Sequence, residues 1–82
     1  MPNTALLGGR YCSIQGVTAA QLRYQNSEKT ISTLYEVAYD KDIFGPIPKI
    51  EAGEEPLKTT TKGLDVQMWV EKGLLMVLVN QA

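Results

Sequence analysis

The chain has 82 residues, enough for one domain but near the lower end of what folds without covalent staples. Its single cysteine excludes an intramolecular disulfide. Eight basic and nine acidic side chains give a net charge of -1, and this balance excludes the basic footprint that a nucleic-acid partner requires.

The beginning of the chain carries no targeting pattern. Residues 1–4 have no basic side chain, and the apolar residues 5–7 are too few for the core of a signal peptide. The longest apolar run, residues 74–79, is far shorter than the ~20 residues that span a bilayer, so we expect no membrane contact by this chain itself. We expect a cytoplasmic protein if Met1 is the natural start, and a periplasmic one if the chain is excised from a membrane-anchored parent.

Residues 1–9 predict an irregular lead-in because they contain a proline and two adjacent glycines. Residues 10–80 predict a single, mainly β domain, a small antiparallel sheet of about five strands ordered as hairpin, strand, long loop and hairpin. The strand candidates alternate with a period of two or are rich in β-branched and aromatic residues. They are residues 10–14, 17–25, 30–39, 64–71 and 74–80.

Turn residues separate these strand candidates. Gln15-Gly16 and Lys72-Gly73 are two-residue turn patterns in which glycine permits a positive φ, so we assign Gly16 and Gly73 structural roles. A polar turn is predicted at residues 26–29. A helix over residues 17–25 is the alternative, since Ala, Gln, Leu and Arg favour helices, but the strict alternation favours a strand.

A long loop is predicted at residues 40–63, which hold three of the four prolines and three glycines. Near its start, apolar residues are interleaved with prolines. Phe44, Ile47 and Ile50 either fold back over the sheet or bind a partner in an extended conformation. The cost of leaving them exposed favours folding back.

The last strand candidate, residues 74–80, is apolar at every position up to Val79, which is typical of a strand covered on both faces. The cover could come from residues 5–7 or from the long loop, giving a sheet closed within one chain. Otherwise a second copy must supply it, and exposed sheet edges make pairing easy. We expect a protein partner or a homodimer, with self-association slightly favoured.

The residues predict no catalytic chemistry. Histidine is absent, which removes the commonest general base, the commonest metal ligand and the usual partner of a catalytic cysteine. Cys12 is therefore predicted to be a buried, unreactive structural residue, because a free cysteine usually behaves as a small apolar side chain. We expect no enzyme, no catalytic residue, no metal site and no cofactor.

Trp69 is the remaining candidate for binding. It lies on the otherwise polar side of its strand, with Gln67 and Glu71. A tryptophan in this position either closes a minor core or marks a contact surface, and core closure is the favoured alternative. We group Trp69 with Phe44 and Ile47 as a candidate interaction surface.

A set of short stretches spans residues 8–79 apart from the long loop. They are Gly9-Arg10, Cys12-Ser13, Ala19-Ala20-Gln21-Leu22, Thr33-Leu34-Tyr35, and Trp69 followed by Gly73-Leu74. Their order and spacing resemble the C-terminal extracytoplasmic domain of membrane-bound anti-sigma factors, also called transmembrane transcriptional regulators.

The resemblance implies a non-catalytic sensory or regulatory domain that binds protein, taking part in bacterial transcription regulation. In that family a separate helical cytosolic part holds the sigma factor, so the resemblance does not extend sigma binding to these strands. The alternative is a free-standing small β protein that binds a ligand or a protein, with the resemblance reflecting fold only. A redox protein using Cys12 is a third, minor alternative.

Overall fold

The computed structural model describes residues 4–26 and 28–81. They form one open antiparallel sheet of six strands in the spatial order β1-β2-β3-β6-β5-β4. The strands are β1 (Thr4–Ile14), β2 (Val17–Asn26), β3 (Ile31–Ala38), β4 (Leu57–Thr61), β5 (Leu64–Glu71) and β6 (Leu74–Gln81). A single helical turn, α1 (Lys41–Phe44), and a 3-10 turn (Ile50–Ala52) lie between β3 and β4. The predicted class, mainly β with a small antiparallel sheet, is confirmed.

The predicted two-residue hairpin turns are present. Gln15 and Gly16 have φ values of 51° and 78°, and Lys72 and Gly73 have 52° and 76°. Positive φ at both central residues is the type I′ conformation, whose twist matches that of the flanking strands. The Lys62-Gly63 pair has the same conformation, with φ values of 50° and 77°, and joins β4 to β5.

The irregular lead-in predicted for residues 1–9 is wrong from Thr4 onward, and residues 1–3 lie outside the described part of the chain. β1 begins at Thr4 because β2 is long enough to pair with it as far as Asn26. The register shifts between Leu6 and Gly8, so one extra residue forms a bulge at this edge of the sheet. The adjacent glycines therefore mark a bulge within a strand, and not a segment without strand structure.

The loop predicted at residues 40–63 also contains regular structure. Its last part is the edge strand β4, which pairs with β5 from Leu57 to Thr61. Three consecutive threonines suit an extended, exposed edge strand, and the Lys62-Gly63 turn returns the chain directly into β5. The connection without strand structure is thus residues 39–56.

Pairing of β3 with β6 joins the two halves of the sheet. This pairing makes the apolar β6 an interior strand, hydrogen-bonded to β3 on one side and to β5 on the other. The connection of residues 39–56 must then cross from the middle of the sheet to its edge strand, and it does so over one face only. We call this connection the lid.

Directly paired residues of an antiparallel sheet point to the same face, so the register defines two faces. The inner face lies under the lid and contains the buried residues Ala19, Val37, Val70 and Leu75. The open face is the opposite one. Its larger apolar side chains are Leu6, Tyr11, Leu22, Tyr24, Leu34, Trp69, Leu74, Met76 and Leu78.

Candidate functional site

The lid is fixed to the inner face by its own polar groups and by two apolar side chains. The Tyr39 hydroxyl donates to the Gly45 carbonyl oxygen at 2.5 Å and accepts from the Ile47 backbone N–H at 3.3 Å. The Val70 backbone N–H donates to the Pro48 carbonyl oxygen at 2.7 Å, which attaches the lid to β5. Phe44 and Ile47 pack against the core formed by Ala19, Val37 and Leu75.

Two residues assigned to the candidate interaction surface therefore lie elsewhere. Phe44 and Ile47 are half-buried parts of the core, because folding back removes their apolar surface from water. Folding back, the favoured alternative, is confirmed for these two residues. Ile50 takes no part in this packing and remains 40% exposed.

Cys12 lies on the inner face, paired with Ala19 in β2, and packs against the same core. It is half-buried, so its position differs from the fully buried one predicted. β1 is an edge strand, and the lid crosses the sheet away from it; this leaves one side of Cys12 accessible.

Trp69 lies on the open face, where it pairs with Met76 of β6. Its indole Nε1–H donates to the Glu71 carboxylate Oε1 at 3.0 Å, so its one polar group has a partner within the same strand. The sequence favoured closing a minor core, whereas this position on the open face favours a contact surface. No described segment of the chain buries any residue of this face.

The open face is more apolar than the sequence alternation suggested. In β3 and β5, the more apolar of the two alternating sets of side chains lies on the inner face. In β2, the more apolar set lies on the open face. Leu22, Leu34 and Leu78 are directly paired across β2, β3 and β6, forming an apolar row over three neighbouring strands. Tyr11 and Leu6 at the β1 edge are 81% and 60% exposed.

The inner face has a second region that the lid leaves uncovered. Near the β1 edge, a depression of about 470 Å³ is lined by Gly8, Gly9, Arg10, Gln21, Arg23 and Thr33. A neighbouring depression of about 590 Å³ shares Arg10 and Gln21 with the first. Its floor continues across the sheet over Tyr35, Val77 and Met68 to Phe44 at the lid.

A row of hydrogen bonds organises the polar end of this groove. The Arg10 Nε–H donates to the Gln21 side-chain oxygen at 2.5 Å, and the Gln21 amide donates to the Tyr35 hydroxyl at 2.9 Å. These three residues are directly paired across β1, β2 and β3. The sequence places Gln21 and Arg23 on one side of β2, but the alignment with Arg10 depends on the β1–β2 register.

Charge is divided between the two faces. Arg10 and Arg23 both belong to the inner face, whereas the carboxylates of the described strand residues belong to the open face. The charged residues of the open face are Glu36, Lys58, Asp65 and Glu71. Thr60 donates to Asp65 at 3.0 Å, so this carboxylate at the sheet edge already has a partner.

Comparison with known proteins found no matching family model and no significantly similar curated protein or solved structure. Across residues 4–26 and 28–81, no helix has the length and apolar character needed to cross a membrane. The same residues include no cluster of three or more His, Cys, Asp or Glu side chains able to share a metal ion. The fold and its surfaces define the class: a single-sheet β domain with one face covered by its own lid and one face open.

Proposed function

We propose that this chain is a non-catalytic protein-interaction domain with a regulatory role, and that it associates with a second copy of itself through the open face. One observation carries the proposal. No residue of the open face whose burial is described is fully buried, although apolar and aromatic side chains dominate its centre. A contiguous apolar surface of this kind is typical of a protein-binding site.

The size of the open face suits a dimer. Six strands about 4.8 Å apart and about eight residues long cover roughly 600 Å² of flat area. Protruding side chains add to this area, and a standard interface buries about 800 Å² per partner. Two such faces would pack about 10 Å apart, as the sheets of a β-sandwich do, and would cover β6 on both sides.

The regulatory part of the proposal rests on the resemblance to the extracytoplasmic domain of anti-sigma factors. In that family the helical part holds the sigma factor, while the longest helix among the described residues has four residues. We therefore expect this chain not to bind a sigma factor. A pull-down that returned a sigma factor with micromolar affinity would contradict that expectation.

Sedimentation velocity tests the proposed association. We expect the wild-type protein to be dimeric at micromolar concentration, and Tyr11→Glu to weaken the dimer at least about tenfold because it buries a charge in the interface. Leu57→Glu is the matched control, since Leu57 is 45% exposed but belongs to the inner face. A wild-type monomer, or equal effects of the two substitutions, would contradict the proposal.

Removing the charge of Glu36 provides a test that distinguishes self-association from binding of a basic partner. Glu36 lies on the open face between Ala20 and Met76, so a second copy brings like charges toward the same interface. Glu36→Gln should therefore tighten the dimer, and added salt should do the same for the wild type by screening the carboxylates. Weakening by both changes would instead indicate that the face binds a cationic partner.

A further inference from the structure

Beyond the open face, the uncovered part of the inner face has the properties of a ligand site. The two depressions share Arg10 and Gln21 and form one groove that runs from the β1 edge to the lid. Each has a volume, about 470 Å³ and about 590 Å³, within the range of small-molecule sites. One end is cationic and the other is apolar.

The cationic end holds two arginines without a neighbouring carboxylate. Gly8 pairs with Arg23 and Arg10 pairs with Gln21, so the two arginines are diagonal neighbours on adjacent strands, a separation of roughly 7–8 Å between residues and somewhat less between Cβ atoms. Among the residues that the structure describes, none that lines either depression is acidic. The bond to Gln21 uses one of the five N–H donors of Arg10, which leaves the others for an anion.

The backbone shape keeps this end accessible. Gly8 belongs to the inner face beside Arg23, and a Cβ atom added there would meet nothing within 4 Å. The absence of a side chain at Gly8 therefore leaves space between the arginines, in which a carboxylate could accept hydrogen bonds from both. Charge-assisted hydrogen bonds of this kind are the strong ones.

The other end is mainly apolar and includes the ring of Tyr35, with Ser13 and Gln15 at its margin. Its floor is formed by Val77 and Met68 and it ends at Phe44. The geometry points to a binding site for a long-chain carboxylate, with the anionic head between Arg10 and Arg23 and the alkyl chain along the groove toward Phe44.

A peptide fits this groove less well than an alkyl chain. The groove crosses the face of the sheet, where backbone N–H and C=O groups are already paired between β1, β2, β3, β6 and β5. A peptide laid there would bury its own backbone groups without partners, which costs free energy. A hydrocarbon chain carries no such groups.

Calorimetric titration with dodecanoate below its micellar concentration tests this site. We expect measurable binding of dodecanoate, none of butyrate, which lacks the chain, and at least about tenfold weaker binding of dodecanol, which lacks the charge. Arg10→Gln and Arg23→Gln should each weaken dodecanoate binding about tenfold. Lys58→Gln, which removes a cation from the opposite face, is the matched control and should leave binding unchanged.

Gly8→Val gives a second, steric test, because valine suits a strand and its side chain would occupy the space between the arginines. It should abolish binding while thermal unfolding of the unliganded protein changes little. Cys12 lines the groove, so bound dodecanoate should also slow labelling of its thiol.

Several results would overturn the inference: no binding of dodecanoate to the folded protein, equal binding of dodecanol, or unchanged binding in the Arg10→Gln/Arg23→Gln double variant. Tighter binding of an apolar peptide with a free carboxylate would also overturn it. Because the groove and the open face lie on opposite sides, these titrations can be repeated on the Tyr11→Glu variant. Their outcome is thus separable from that of self-association.

Discussion

Cys12 has a side chain that can react, but in this chain it packs against the core. Its side chain contacts the core around Ala19, Val37 and Leu75, and its partner across β1 and β2 is itself an alanine. In this position the thiol contributes a small apolar volume, as free cysteines usually do. Its accessible side faces the inner-face groove and not the open face.

Replacing Cys12 tests this structural role. Cys12→Ala should fold and lower the free energy of unfolding by about 1 kcal/mol, because it removes one half-buried atom from the core. Cys12→Ser should cost somewhat more, since its hydroxyl must be desolvated. Chemical denaturation measures both, and thiol labelling of the wild type should be slower when folded than when unfolded. Labelling at the same rate in both states would contradict the packing.

Among the elements, the lid determines which face of the sheet is covered. It is held by the Tyr39 hydroxyl, by the Pro48 carbonyl and by packing of Phe44 and Ile47. Two further bonds fix its far end, where the Lys49 and Lys72 backbone N–H groups donate to the Glu54 and Glu51 carboxylates at 2.8 Å and 2.7 Å. Glu54 thus positions the lid backbone, and Glu51 attaches the lid to the turn between β5 and β6.

Phe44→Ala measures what the lid contributes to stability. We expect a loss of about 2–3 kcal/mol in the free energy of unfolding, below the range for a fully buried phenylalanine because Phe44 is half-buried. Ile43→Ala is the matched control, since Ile43 is the preceding residue but is 45% exposed. Urea denaturation should show the control within about 0.5 kcal/mol of wild type. Equal effects would mean that the lid does not stabilise the sheet through Phe44.

The sequence could predict the elements whose patterns are local. The alternation of β5, the apolar β6 and the Gln15-Gly16 and Lys72-Gly73 turns are each visible within a few residues, and all are present. β4 was not predicted, although the sequence contained a signal for it. The Thr59–Thr61 run is followed by Lys62-Gly63, the same dipeptide that forms the turn between β5 and β6. β1 was predicted too short because its two glycines mark a bulge whose pairing depends on the length of β2.

At the scale of the whole molecule, the sheet order could not be predicted from local patterns. Pairing of β3 with β6 joins residues more than forty positions apart, as in the Ser32 hydroxyl donating to the Asn80 side-chain oxygen. This pairing aligns Leu22, Leu34 and Leu78 on one face and directs the lid to the other. The candidate site therefore depends on long-range register, while Trp69 was the one residue of the predicted interaction surface that lies on the open face.

The composition of β6 predicted that other residues cover it on both faces. In the fold, the chain itself covers β6 on the inner face only. The lid packs against the core that contains Leu75 on the inner face, while Leu74, Met76 and Leu78 remain on the open face. Burying three such side chains is worth about 1.5–3 kcal/mol each, a substantial fraction of the 5–15 kcal/mol stability of a typical domain. A second copy of the chain is the cover that we propose.

Trp69 provides the most direct measurement of this claim, because it is the only tryptophan in the chain and lies on the open face. Acrylamide quenching of its fluorescence, measured from nanomolar to micromolar protein, reports whether that face is covered. We predict efficient quenching at low concentration and protection, with a blue-shifted emission, as the dimer forms. The same titration of Tyr11→Glu should show efficient quenching throughout. Quenching of the wild type that is independent of concentration, in a protein that sediments as a dimer, would place the interface elsewhere and contradict the account.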